Sequence, residues 1–159
     1  MSWLEPVRPL RDGSYRLRLG GTERQALRGF CEELRELIEA DGDEVARLFP
    51  AAYRDDAEAS AEYDRLVRDE LVGGRLESLR TVEATIDCER LDEAQLAAWC
   101  GTLNDLRLVL GERIGVTEDL YETGIDPRDP RAPELALYGW LTWLQGHVVE
   151  ALSSRLPGA

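Results

Sequence analysis

The chain has 159 residues and a formal net charge of −13, from 32 acidic residues and 19 basic residues that are all arginine. Its length is that of one domain, and a composition of 43% hydrophobic and 32% charged residues is typical of an ordinary globular protein. A surface this acidic repels phosphate backbones and anionic lipids, so we expect no strong autonomous DNA binding and no membrane association.

The sequence shows no membrane or export signal. No apolar run approaches the roughly 20 residues of a transmembrane helix, and the first residues lack the basic and apolar stretches of a signal peptide. Three cysteines, an odd number, fit reduced thiols better than a disulfide framework. These features predict a cytoplasmic protein.

The chain opens with a predicted β-hairpin over residues 7–19, because Asp12-Gly13 is a strong turn signal between two short alternating segments. Thr22 and Gln25 then form a predicted capping box for a first helix over about 22–40. The apolar stripe of that helix consists of Leu27, Cys31, Leu34 and Ile38.

A second helix is predicted after Asp55 or Asp56, either of which can cap it. Before it, a short helical turn is expected to direct Val45, Leu48 and Phe49 toward the core. The predicted buried face of the second helix consists of Tyr63, Leu66, Val67 and Leu71, and then Leu76, Leu79, Val82 and Ile86. Two adjacent glycines, Gly73-Gly74, cost about 1 kcal/mol each in a helix interior, so the helix either kinks there or restarts. We favour one long helix, bent or strained, to about Cys88.

The third helix has the most regular pattern in the chain, with Asp92 as its predicted N-cap and Gly115 as its C-cap. Its buried seam consists of Leu96, Trp99, Leu103, Leu106 and Leu110. Three prolines make residues 116–133 an irregular segment. The last helix is predicted over about 134–155, with a main apolar stripe of Leu137, Leu141, Leu144, Val148 and Leu152.

These elements predict a mainly α fold, a four-helix-type bundle with a small N-terminal β-hairpin. We expect a single domain over residues 1–159, with the hairpin at 7–19 and the helical bundle at 22–155. The irregular loop at 116–133 is the one long interruption of the bundle.

Enzyme templates do not fit the sequence. One histidine, His147, cannot form a two-histidine metal site, and a chain without lysine has no phosphate-binding loop of the lysine type. No serine has the surroundings of a nucleophile elbow. We therefore predict no catalytic residue, no metal and no cofactor. The least favoured alternative is a metal-dependent enzyme that uses Glu58, Glu62 and Glu70.

The three cysteines are the candidates for redox chemistry, although no Cys-x-x-Cys pair is present. Cys31 and Cys100 lie beside apolar positions, which predicts small buried core residues. Cys88 lies away from the helical stripe and near a helix end, so it is the thiol that we expect to be exposed.

The last helix carries a second stripe formed by Trp140, Trp143 and His147. A helix that is apolar on more than one side either lies centrally in its bundle or presents a wide face to a partner. Tryptophan is enriched in binding hot spots, so this stripe either completes the core or forms a partner or dimer contact.

Three stretches, at 48–56, 103–119 and 138–145, resemble an actinobacterial family long classed as a domain of unknown function. One member is described as a regulator of the aerobic and oxidative stress response (AosR). The most specific stretches are Leu103-Asn104-Asp105-Leu106-Arg107 and Gly115-Val116-Thr117-Glu118-Asp119. The resemblance implies a cytoplasmic, redox-responsive transcription regulator that acts with a sigma factor on RNA polymerase and senses oxidants through an intramolecular disulfide. The Cys-x-x-x-Cys motif of that family is missing from this chain, so no redox residue is carried over by position.

The resulting hypothesis is a non-enzymatic regulatory protein that binds a protein partner with a basic surface, such as a sigma factor or RNA polymerase. The alternative is a small acidic homodimeric interaction domain. The candidate partner-binding residues are Trp140, Trp143, His147, Asn104, Asp105, Arg107, Thr117, Glu118 and Asp119. The polar members of this set lie toward the end of a buried helix, where they either cap the long loop or form a recognition site.

Overall fold

The computed structural model describes residues 5–40, 61–115 and 126–156. These ranges contain four long helices and a three-stranded antiparallel sheet, which confirms the predicted mainly α fold with an N-terminal hairpin. The elements are β1 (Val7–Pro9), β2 (Tyr15–Leu17), α1 (Gly21–Ala40), α2 (Ala61–Thr85), β3 (Arg90–Leu91), α3 (Glu93–Ile114) and α4 (Ala132–Ser153).

The hairpin forms where the turn signal predicts it. Gly13 has a φ of 93°, a left-handed conformation that glycine adopts without strain. The amide of Ser14 donates to the Asp12 carboxylate over 3.0 Å, and the amide of Leu10 donates to the Ser14 carbonyl over 2.8 Å. The turn is therefore closed by both its backbone and its aspartate.

A third strand, β3, extends this hairpin and was not predicted. Tyr15 lies opposite Pro9 on one side and opposite Leu91 on the other, so β2 is the central strand. Arg90–Leu91 is only two residues long, too short for a period-two pattern. The pairing of β3 with β2 depends on where the chain lies after the end of α2.

Helix α1 begins one residue earlier than its predicted cap at Thr22. The Gly20 amide donates to the Glu23 carboxylate over 3.4 Å, and Thr22 lies within the helix, so the predicted capping box of Thr22 and Gln25 is wrong. The predicted apolar stripe is confirmed. Its buried residues are Leu27, Cys31, Leu34 and Ile38.

Helix α2 runs without a break through Gly73-Gly74, as favoured, and ends at Thr85, three residues before Cys88. The prediction that Leu66 and Leu71 are buried is wrong, because their side chains are 63% and 37% exposed. Every described side chain of α2 before Val72 is exposed, whereas Leu79 and Val82 in the second half are buried. The side chains of Tyr63 and Val67, the turn with Val45, Leu48 and Phe49, and the caps Asp55 and Asp56 lie outside the described residues.

Helix α3 is the central helix and contacts α1, α2 and α4. Both predicted caps are confirmed: the Asp92 carboxylate accepts from the Gln95 amide over 2.7 Å, and Gly115 is left-handed with a φ of 65°. The seam is buried at Leu96, Trp99, Leu103 and Leu106, and partly buried at Leu110. Contact with three helices explains why α3 also buries Thr102 and Asp105, outside that seam.

Helix α4 starts at Ala132, two residues before the predicted start, with Pro133 in its first turn. The described part of the predicted irregular segment, 126–131, forms turns. Arg131 donates to the Ile114 carbonyl over 3.0 Å and so joins the end of α3 to the start of α4. At the other end, the Arg155 guanidinium lies 4.5 Å from the centre of the Tyr15 ring and attaches α4 to the hairpin. The predicted stripe is buried at Leu141, Leu144 and Val148 and partly buried at Leu137 and Leu152.

Candidate partner-binding surface

The second stripe of α4 lies at the surface of the bundle. Trp143 is 43% exposed, and Trp140 and His147 are half-buried. The rings of Trp143 and His147 meet edge to face, with their centroids 4.8 Å apart. The neighbouring stripe that contains Leu144 faces the core, and a step of one residue along a helix turns the side chain by about 100°. Trp143 therefore points away from the core because Leu144 points into it.

An open depression of about 520 Å³ lies between α4 and the first turns of α1. We call it the Trp143 groove. Its lining residues are Thr22, Glu23 and Ala26 of α1 and Leu137, Trp140 and Trp143 of α4. The floor is aromatic and aliphatic, and Glu23 is its one charged side chain. Such a surface suits an apolar side chain of a partner protein.

A smaller depression of about 170 Å³ continues along the same side of α4, beyond His147. We call it the Glu150 pocket. Its lining residues are Glu5, Val7, Pro9, His147, Glu150, Ala151 and Ser154. Because the touching rings of Trp143 and His147 belong to the linings of the two depressions, the groove and the pocket adjoin at this ring pair.

The carboxylates of these two depressions are not neutralised. No arginine belongs to either lining, and within the described ranges Glu5, Glu23 and Glu150 have no ion pair with an arginine. Several other acids are paired with arginines, as in Asp87–Arg28 at 2.7 Å and Glu33–Arg113 at 3.3 Å. The stripe on α4 is therefore an apolar surface with local negative charge.

The polar candidates of the third helix lie between helices and not at the helix end. The Asn104 amide oxygen accepts from Gln145 of α4 over 3.3 Å and from Arg107 over 3.4 Å. Asp105 is 2% exposed and pairs with Arg75 of α2 at 3.3 Å. These contacts join α3 to its neighbours on both sides. Thr117, Glu118 and Asp119 lie outside the described residues.

The environment of Asp105 changes its titration. Burial raises the pKa of this carboxyl to about 6, against the opposing effect of the Arg75 guanidinium. The sequence contains no signal for this pair, since Arg75 follows Gly73-Gly74 and lies 30 positions from Asp105. Only the packing of α2 on α3 brings the two groups together.

All three cysteines are free thiols, and the predictions that Cys31 is buried and Cys88 exposed are confirmed. Cys31 is buried in α1, and burial raises its pKa to about 12. Cys100 is half-buried, and burial raises its pKa as well. Cys88 is exposed in the turn after α2, where its carbonyl accepts from Arg24 over 3.1 Å.

The carboxylates considered for a metal site do not form one in the described part of the chain. Glu70 is exposed, whereas Glu58 and the side chain of Glu62 lie outside that part. Across the described ranges, no three His, Cys, Asp or Glu side chains come close enough to hold a metal ion.

The class that these observations define is a mainly α-helical bundle with a small antiparallel sheet and an apolar, acidic surface on its last helix. The chain belongs to the family described as Domain of unknown function (DUF2017), whose sequence model matches residues 5–152. Neither the curated proteins nor the solved structures contain a significant match to it. None of the described helices has the length and apolar character needed to cross a membrane.

Proposed function

We propose that this protein is a non-enzymatic, cytoplasmic regulatory protein that acts by binding a protein partner through the Trp143 groove. The observation that carries the proposal is the 43% exposure of Trp143 beside an open apolar depression of about 520 Å³. Large aromatic side chains held at the surface over an apolar cavity are the residues that dominate binding energy in protein interfaces.

We propose that this binding occurs in transcription and that the partner is RNA polymerase or a sigma factor. Support comes from the resemblance of residues 103–107 and 115–119 to the family of the stress-response regulator, and from the net charge of −13, which favours a basic protein surface. An oxidant response has one available group in the exposed thiol of Cys88. A disulfide has less support, because Cys31 is buried within α1.

A homodimer is the second candidate, since an apolar groove can also be covered by another copy of the chain. In a two-fold dimer the same face meets itself. Glu5, Glu23 and Glu150 would then approach the same three carboxylates of the other copy, and neither lining contains an arginine to separate them. This repulsion ranks the homodimer below a basic partner.

The test compares three forms of the protein for binding to RNA polymerase and to sigma factors purified from the cell that makes it. The variants are Trp143→Ala and, as a matched control, Leu108→Ala, which removes a 45% exposed leucine of α3 that lines neither depression. We expect binding by the wild type and the control and a loss of about tenfold or more for Trp143→Ala, the effect of removing a hot-spot residue.

Circular dichroism and sedimentation of each form show whether the fold and the oligomeric state are retained. Equal affinity of all three forms would contradict the role of the groove. If the polymerase and its sigma factors do not bind, but another protein captured from cell extract binds in a Trp143-dependent way when purified, the transcription assignment fails and the partner-binding role stands. Dissociation of a wild-type dimer by Trp143→Ala would favour the homodimer.

A further inference from the structure

We infer that the partner segment carries a large apolar side chain for the Trp143 groove and, about 15 Å along the segment, a cationic side chain for the Glu150 pocket. This inference rests on the proposed function, which it makes specific. It concerns the chemistry of the partner, whereas the proposed function requires only that a protein binds.

The spacing follows from the arrangement of the two depressions along one helix. Trp140 lies at the middle of the α4 lining of the groove and Glu150 lines the pocket, and the ten positions that separate them correspond to about 15 Å of helix. Two side chains ten or eleven positions apart in a helical partner, or four to five positions apart in an extended one, have about the same separation. One continuous segment can therefore occupy both depressions.

The cationic preference follows from the charges that line the pocket. Glu5 approaches it from the chain just before β1 and Glu150 from α4, and both side chains are exposed. Neither carboxylate has an ion pair with an arginine in the ranges that the structure describes. An arginine or lysine from outside would supply the missing charge.

The aromatic boundary adds a second contribution for a cation. The ring pair of Trp143 and His147 stands between the groove and the pocket. A guanidinium or ammonium group entering the pocket would pass close to the exposed tryptophan ring, and such cation–π contacts are favourable. Glu23 is the one carboxylate that lines the groove, whose other lining residues are uncharged. The apolar side chain and the cation of the partner therefore occupy separate depressions.

The experiment uses a displayed library of random peptides about 15 residues long, enough to span both depressions in helical or extended form. Peptides are selected on the full-length wild-type protein after depletion on the Trp143→Ala variant. We expect the survivors to share a large apolar residue followed or preceded by arginine or lysine, at four or five positions in an extended peptide or at ten or eleven positions in a helical one.

The affinity of a selected peptide is then measured for the wild type, for the double variant Glu5→Gln/Glu150→Gln and for a control, Glu134→Gln. Glu134 is an exposed acid of the first turn of α4 that lines neither depression. We expect binding about fivefold weaker for the double variant, unchanged for the control, and weaker for the wild type as salt is added.

The outcomes separate this inference from the proposed function. Survivors without a cationic residue, or a peptide whose affinity is the same for the double variant, overturn the inference and leave partner binding at Trp143 intact. A library that yields no Trp143-dependent peptide overturns both.

Discussion

At the scale of single residues, the interior of the bundle contains polar groups whose partners lie on other elements. The indole nitrogen of Trp99 donates to the Thr85 hydroxyl over 2.8 Å, and both side chains are buried. The buried Asp105 carboxylate forms an ion pair with the partly exposed Arg75 guanidinium at 3.3 Å. A buried polar group that keeps a partner costs little, whereas one that loses its partner costs about 1–3 kcal/mol. These pairs therefore determine how α2 and α3 sit against each other.

Asp105 should make stability depend on pH in the direction opposite to that of a surface aspartate. Its folded pKa of about 6 lies above the ordinary value of 3.8, so the folded state binds the proton more tightly than the unfolded state does. The stabilisation of the folded state by this tighter proton binding is present below about pH 4 and is lost as the pH rises to about 6. As the pH rises from 4 to 7, the free energy of unfolding of Asp105→Asn in urea should increase by about 2 kcal/mol relative to that of the wild type.

Asp87→Asn is the control for this measurement. Asp87 is paired with Arg28, but its side chain is 73% exposed, so solvent screens the pair and its loss should change little at any pH. A difference between Asp105→Asn and the wild type that stays constant from pH 4 to pH 7 would show that the carboxylate is not protonated more readily in the folded state.

At the scale of elements, the helices form where their patterns predict, but their packing is uneven. Helix α3 is buried by three neighbours, whereas the described side chains in the first half of α2 are exposed. Periodicity shows which residues of α2 share a face, and Leu71 at 37% exposure and Val82 at 2% lie on one face, eleven positions or about three turns apart. What differs between the two positions is how other elements pack on the helix, which periodicity does not encode.

Replacing both glycines of α2 by alanine should stabilise the protein. Gly73 and Gly74 are exposed in a continuous helix, and a Cβ at either position would meet no atom within 4 Å. Each replacement removes backbone freedom from the unfolded chain, so the double variant should gain about 1–2 kcal/mol in the free energy of unfolding. Chemical denaturation monitored by circular dichroism measures this gain.

Gly111→Ala is the matched comparison within α3. A Cβ at Gly111 would lie 3.0 Å from the Cε2 atom of the Tyr138 ring, so contact with α4 opposes the same gain in helix propensity. We expect no stabilisation there. Equal gains at Gly111 and at Gly73-Gly74 would mean that α3 and α4 can separate without cost.

At the scale of the whole molecule, the net charge of −13 adds to the local charge of the groove and the pocket. Within the described ranges, the carboxylates that line these two depressions, Glu5, Glu23 and Glu150, have no ion pair with an arginine. The long-range field repels polyanions, and the local field at α4 attracts a cation. Both effects favour a basic protein as the partner.

The same charge predicts that the protein does not bind duplex DNA by itself. Non-specific DNA binding depends on neutralising phosphates with basic residues, and affinity falls steeply with salt. At an ionic strength of about 0.15 M, fluorescence anisotropy of a labelled duplex should show no complex at concentrations below about 1 µM. A basic DNA-binding domain, run on the same duplex, provides the positive control. A low-nanomolar complex that persists at high salt would contradict the proposed mode of action.

The sequence by itself determined the local features, because caps, turns and apolar periodicity depend on residues a few positions apart. The Asp12-Gly13 turn, the Asp92 cap and the buried stripe of α1 are of this kind. Tertiary structure alone decided which faces are covered: it paired β3 with β2, left Leu71 exposed and brought Arg75 to Asp105. It also left Trp143 exposed beside an apolar groove. These outcomes depend on which elements become neighbours in the folded chain, and the local sequence around a residue does not specify those neighbours.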